Sequence, residues 1–290
     1  MRSFESPPEE YREGVQWSPN ERRMLKYMLE EDGIQFMRYF FKLREGATMI
    51  RNWHHYIIEY VLQAVIDGHV NRLIINIAPG YTKTEQAVLN FISRGLAINP
   101  MSKYIHASYS SELATQNSIK IRETIESDEF QELWPMTLKN DTRSKRMWFT
   151  ELGGGMMATA SGGQITGFRA GRMEAGFTGA FVIDDPVKPD DAYSVVKRNA
   201  INNRFNNTMR SRLAIETVPM IAIMQRIHEE DLSGYLLKGG SGDKWHHLVI
   251  PTLLSEETLE VPYPDDYTHG IPIDINGVLR AMHTGEAYAF

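Results

Sequence analysis

Four residues in two runs carry the chemistry that is easiest to read from this chain. Lys83 and Thr84 lie in IINIAPGYTKTE, from Ile74 to Glu85, and Asp184 and Asp185 close the run FVIDD. A lysine and a hydroxyl residue after an apolar strand can hold nucleotide phosphates and their magnesium. A strand that ends in two carboxylates supplies a metal ligand, usually through water, and a group that orients an attacking water. The phosphate-loop pattern is G-x-x-x-x-G-K-[ST]; here Ile77 and Thr82 stand at the two glycine positions and Gly80 falls between them. Gly80 leaves the loop free to aim backbone N–H groups at phosphates. A helix starting near Thr84 adds its dipole. The expected nucleotide contacts are therefore Pro79, Gly80, Tyr81, Thr82, Lys83 and Thr84. The same letters also fit a strand–turn–helix with an incidental Lys-Thr, and FVIDDP fits a strand followed by an Asx turn before Pro186. The 101 residues from Lys83 to Asp184 leave room for intervening strands, so each run supports the other.

The elements around these runs predict an α/β fold. Leu73 to Ile77 is apolar except for Asn76, as in a buried parallel strand. Further strands are expected at Tyr104–Ala107, Met147–Phe149, Met156–Ala160, Phe181–Ile183, Met220–Met224 and Trp245–Ile250. Helices are expected at Thr84–Ala97, Glu112–Ile125, Val195–Leu213 and Glu230–Lys238. This alternation predicts a mostly parallel sheet with helices on both faces. Upstream, Ser18-Pro19-Asn20-Glu21 reads as a capping box with proline at the first helical position. Helices should follow through Leu29, over Ile34–Leu43 and over Trp53–Ile66. The organisation expected is a helical lead-in over 1–50, an ATPase core over 51–255 and an irregular segment over 256–290.

Composition narrows the class. Hydrophobic content of 42% with 23% charged residues suits a soluble globular chain, and 290 residues suit one large domain or one domain with a smaller attachment. No apolar run reaches about 18 residues, so no membrane helix is expected, and the N-terminus does not read as a signal peptide. The absence of cysteine excludes a disulfide framework and cysteine zinc sites. A net charge of −6 argues against non-specific nucleic-acid binding by the whole chain, so any DNA contact needs a local basic surface. The helix carrying Lys197, Arg198, Arg204, Arg210 and Arg212 has no acidic residue and many asparagines, which suits phosphate contact without base reading; a solvated or subunit-facing helix fits as well. His54-His55 and His246-His247 are adjacent pairs that point apart, so no zinc is expected, and Asp231 is expected to cap a helix.

Several segments together carry a resemblance. NWHHYIIEYVLQAVIDGHVNRLIINIAPG, ASYSSELA, GGQITGFRA, IDDPVK and MQRIHEEDLSGYLL occur in that order over roughly residues 50 to 255. In order and spacing the chain resembles the large terminase subunit of tailed bacteriophages. The resemblance implies an ASCE-type P-loop ATPase that drives double-stranded DNA into a procapsid, with ATP and Mg²⁺ as cofactors. It assigns Lys83 and Thr84 to the phosphate loop, Thr84 and Asp184 to the metal, Asp185 to the catalytic carboxylate and Gln225 to the coupling segment that senses the γ-phosphate. It implies an arginine acting on a neighbouring subunit's ATP, with Arg169 first and Arg172 as the alternative because GRMEAGFTG intervenes before the strand. Trp53 and His54 fall where the family borders the adenine, although packing accounts equally for Trp53. Implied partners are a portal protein, a small terminase subunit and a homo-oligomeric ring, a pentamer, in the host cytoplasm and away from any membrane. The chain stops about where the family's nuclease domain begins, and Asp265, Asp266 and Asp274 lie in an irregular stretch, so nuclease activity is not expected. A helicase-like translocase and a non-catalytic nucleotide-gated assembly module remain the alternatives.

Overall fold

The computed structural model describes residues 17–140 and 144–251. The expected 256–290 segment, with Asp265, Asp266 and Asp274, lies outside the described residues, as does most of the polar lead-in.

Among the described residues three helices come first. α1 (Pro19–Glu31) opens on a capping box in which the Ser18 backbone N–H donates to Glu21 Oε2 at 2.9 Å and the Glu21 N–H donates to Ser18 Oγ at 3.3 Å. α2 (Gly33–Glu45) starts at Asp32, whose Oδ1 accepts from the N–H groups of Ile34 and Gln35. α3 (Trp53–Ile66) starts at Asn52. These helices share one core with the sheet. Leu25, Leu29, Phe36, Phe40, Ile58 and Leu62 are buried with Leu73, Ile75 and Ile77 of the first strand, and Phe40 meets Phe130 and Trp134.

Among the described residues seven strands follow: β1 (Arg72–Ile77), β2 (Lys103–Ser108), β3 (Met147–Phe149), β4 (Gly155–Ala160), β5 (Phe181–Asp184), β6 (Met220–Met224) and β7 (His246–Ile250). Their order across the sheet is β3-β4-β2-β5-β6-β1-β7, parallel throughout except for the β3–β4 hairpin. β6 therefore lies between β1, which leads into the phosphate loop, and β5, which ends in the carboxylates. The order and directions agree with the mostly parallel sheet expected from the sequence. Alternate residues of each strand feed opposite layers, the period-two consequence of the pleat. Ile75, Tyr104, Val182 and Ile223 face a helical layer of α1 to α3, α4 (Phe91–Ile98), α5 (Ser111–Glu126) and α6 (Asp128–Leu133). Ile74, Ile105, Ile183 and Ala222 face Phe205, Met209, Leu232 and Leu236, which come from the region of α7 (Val195–Arg204) and α8 (Leu232–Leu237).

Two expected helices depart from regular geometry. The one carrying Lys83 and Thr84 is wound as a π-helix over Glu85–Asn90 before α4. The cause is local: the Asn90 side-chain amide donates to Glu85 O at 2.7 Å and to Glu85 Oε1 at 2.6 Å, while the Phe91 N–H reaches back to Gln86 O. The expected Val195–Leu213 helix stops being α at Arg204, continues as π over Phe205–Met209 and ends as a 3-10 turn. The GRMEAGFTG stretch, which separates Arg169 from β5, clasps the start of β2. Gly171 N–H donates to Lys103 O at 2.9 Å, and at Gly179, with φ +118°, a Cβ would sit 2.1 Å from that same oxygen.

A polar network ties α1 and α3 to α4. Arg94 of α4, 3% exposed at its side chain, donates to Glu59 Oε1 at 2.9 Å, to Gln63 Oε1 at 2.6 Å and to Glu30 O. Burial pushes the Glu59 carboxyl up to about 6, with Asp32 adding to the rise and Arg94 and Gln86 opposing it. The folded state thus holds this proton more tightly than the unfolded chain does. The resulting stabilisation is complete below about 4.5 and is lost as pH rises through about 6. Glu59→Gln should remove this component, on the order of 1–2 kcal/mol across that window. Urea titrations of both proteins from pH 4.5 to 7.5 check it, and parallel stability profiles would contradict it.

Candidate nucleotide site

The expected phosphate loop leaves β1 at Ile77 and turns through Gly80, whose φ is +85°. Thr82 also has positive φ, +56°. This is the position where the usual pattern has its second glycine, and a β-branched residue there is strained. The carboxyl ends of β1, β6 and β5 then bring the expected groups together. Thr84 Oγ1 donates to Asp184 Oδ2 at 2.6 Å, and Lys83 Nζ pairs with Asp185 Oδ2 at 2.7 Å. The Gln225 backbone N–H donates to Asp185 Oδ1 at 3.1 Å. Asp185 has φ +42°, a conformation that aspartate tolerates better than most residues. Its backbone is held on both sides: its N–H donates to Ile223 O, and its carbonyl accepts from the Tyr109 N–H.

Charge in this cluster is tightly balanced. Asp184 is 4% exposed, and burial, followed by repulsion from Asp185, pushes its carboxyl up to about 7. The hydrogen bond from Thr84 and the charge on Lys83 pull the other way. Asp184 Oδ1 is buried with no hydrogen-bond partner among the described residues. An orphaned carboxylate oxygen beside a threonine hydroxyl fits a hard, oxygen-seeking cation such as Mg²⁺.

Neither a family model nor a curated protein sequence matches the chain. Among the solved structures similar to it is the crystal structure of the HK97 bacteriophage large terminase, at a TM-score of 0.47 and 14% identity. The similarity covers 88% of this chain and 51% of that one, so the chain spans about half the length of the structure it matches.

The residues expected near adenine divide. His54 is buried at 5% exposure and meets Tyr81 of the loop edge-on at 5.2 Å, so it lies beneath the loop and offers no open face to a base. That corrects the expectation for His54. Trp53 is half-buried, packs edge-on against His54 at 5.9 Å and borders the core. Pro79, Gly80 and Thr82 are exposed on the loop. His55 was missed by sequence reasoning. Its Nε2 lies 2.7 Å from Thr82 Oγ1, and the Gln86 side-chain amide donates to its carbonyl at 2.7 Å. The available signal was its place three residues after the Asn52 cap, where a capping box puts a side chain that turns back.

Arg169 and Arg172 do not meet this loop. Arg169 donates to Leu213 O and lines a cleft of about 420 Å³ with Arg72 and Arg210. Arg72 begins β1 and the phosphate loop follows its end, which separates the two by roughly 17 Å at about 3.3 Å per residue. Arg172 pairs with Glu174 at 3.0 Å near the start of β2. Neither arginine serves its own chain's site in this arrangement.

The expected DNA-facing set is also altered. Arg198 is 4% exposed and donates to Ala192 O at 2.8 Å and to Glu230 Oε2 at 3.1 Å, so it is an internal brace and not a phosphate contact. Arg204 donates to Gly163 O, Arg210 pairs with Asp243 at 3.2 Å and Lys197 pairs with Asp191. Arg212 is half-buried. Lys197, Arg198, Arg204 and Arg210 are thus turned toward carbonyls and carboxylates of their own chain, and the five do not form one open basic face. Asp231 caps α8 as expected, accepting from the Gly234 N–H at 2.9 Å. Among the described residues no helix is long and apolar enough to cross a membrane.

Proposed function

We propose that the chain is an Mg²⁺-dependent ATPase and the motor domain of a phage DNA-packaging terminase. The observation that carries the ATPase reading is the convergence of Lys83, Thr84, Asp184 and Asp185 beyond the carboxyl ends of β1 and β5, two strands separated by β6. The packaging reading draws its support from the ordered segments between residues 50 and 255. Thr84 and Asp184 would hold Mg²⁺, which when bound would withdraw charge from the phosphate oxygens. Lys83 leaves Asp185 for the β/γ-phosphates. Asp185, freed of that partner, accepts a proton as the water oxygen attacks the γ-phosphorus and the bond to the β-phosphate oxygen breaks. Gln225, one residue beyond β6 and joined to Asp185 through its N–H, passes the change in the carboxylate to that strand. Arg169 completes the site of a neighbouring copy in a homo-oligomeric ring, a pentamer, with Arg172 as the alternative. The remaining partners in this reading are double-stranded DNA, a portal protein and a small terminase subunit, in the host cytoplasm.

The test is phosphate release with duplex DNA, with single-stranded DNA and with neither. Stimulation by duplex supports packaging. Stimulation by single strands alone supports a helicase-like translocase, and tight ATP binding without phosphate release supports a nucleotide-gated assembly module.

A further inference from the structure

Thr82 sits in the left-handed region at φ +56° with a β-branched side chain, immediately before Lys83. Glycine would adopt this conformation freely; threonine needs something to hold it. His55 is placed to do so. The Asn52 N–H donates to His55 Nδ1 at 2.9 Å, so in the neutral ring the proton is on Nε2. Nε2 then donates to Thr82 Oγ1 at 2.7 Å, and the Thr82 hydroxyl donates onward to Tyr81 O at 2.7 Å. Burial, with His54 next to it, pushes the His55 ring down to about 4, which keeps it neutral near pH 7. The same residue grips the other side of the loop, because its carbonyl accepts from Gln86 Nε2 at 2.7 Å. Gln86 is 1% exposed and lies on the helical segment that begins with Lys83 and Thr84. One residue of α3 therefore holds the chain just before Lys83 and just after Thr84.

We propose that His55 is a positioning residue for the phosphate loop: it holds Thr82 in the left-handed turn that a glycine would otherwise supply, and so sets the affinity for nucleoside triphosphate. This rests on the ATP reading above. Affinity for Mg²⁺ and a fluorescent ATP analogue, with KM and kcat for ATP, should be measured in the full chain. His55→Ala should weaken binding and raise KM about tenfold, the scale of one lost hydrogen bond, while kcat changes much less. Thr82→Val removes the hydroxyl from an exposed residue without touching the core, and should show the same loss. His55→Gln, which keeps a donor at the end of its side chain, should recover most of the affinity. In a Thr82→Gly background, where the turn needs no support, adding His55→Ala should have no further effect on affinity. Wild-type affinity in Thr82→Val would overturn the inference with the ATP reading intact, as would an undiminished effect of His55→Ala in the Thr82→Gly background. No analogue binding by the wild type would overturn both.

Discussion

Replacing Lys83 by alanine is expected to lower ATP turnover about 10²–10³-fold, the scale of removing one preorganised charge from a phosphoryl-transfer site. Lys83 is the cation nearest both carboxylates, with a side chain 7% exposed and Nζ 2.7 Å from Asp185 Oδ2. Its loss removes the group that would meet the β/γ-phosphates. It also leaves Asp184 and Asp185 facing each other without their counter-charge. The carboxyl of Asp184, already pushed up to about 7, would rise further and compete with metal for the same oxygens. Stability should fall on the order of 1–3 kcal/mol, less than for a wholly buried pair because the Asp185 side chain is 24% exposed. Phosphate release at saturating ATP, paired with urea denaturation, measures both effects. Turnover within twofold of wild type would remove Lys83 from the mechanism.

Asp185→Asn separates chemistry from binding. Asparagine accepts the left-handed backbone at φ +42° as readily as aspartate, and its side-chain oxygen still meets the Gln225 N–H. It cannot take a proton from water. The expected fall in kcat is about 10²–10⁴-fold. ATP affinity should hold or tighten, because Lys83 is no longer held by a carboxylate and is free for phosphate. A variant that loses affinity as much as turnover would place Asp185 in binding and not in the hydrolytic step.

Much of this fold is legible in the sequence because its strands are buried on both faces. Leu73 to Ile77 and Phe181 to Ile183 are near-continuous apolar runs that declare themselves without any partner. The capping box at Ser18 and the cap at Asp231 are equally local. The convergence of Lys83 with Asp185 follows once the strand order is granted. What the sequence hides depends on distant partners. Arg198 looks like a surface cation within its own helix, yet its fate is set by Glu230, 32 residues away, and by the Ala192 carbonyl. His54 looks available to a base, but it is buried and meets Tyr81 edge-on. The support given by His55 to Thr82 requires knowing that α3 packs behind the loop and that Thr82 adopts positive φ, neither of which leaves a periodic trace.

The π-wound stretch over Glu85–Asn90 makes the two ends of one helix independent in azimuth. An α-helix turns about 100° per residue, and a π turn absorbs one additional residue in the same arc. The face of Val88, Ile92 and Leu96 is locked in the core. Without the extra residue, that lock would fix the direction of Lys83 and Thr84, rotated by about 100° from where they now stand. With it, the helix is anchored at one phase while its first turn points at Asp184 and Asp185 in another. The widened turn therefore works as a phase shifter, setting the aim of the end that carries Lys83 and Thr84 apart from the packing of the rest of the helix.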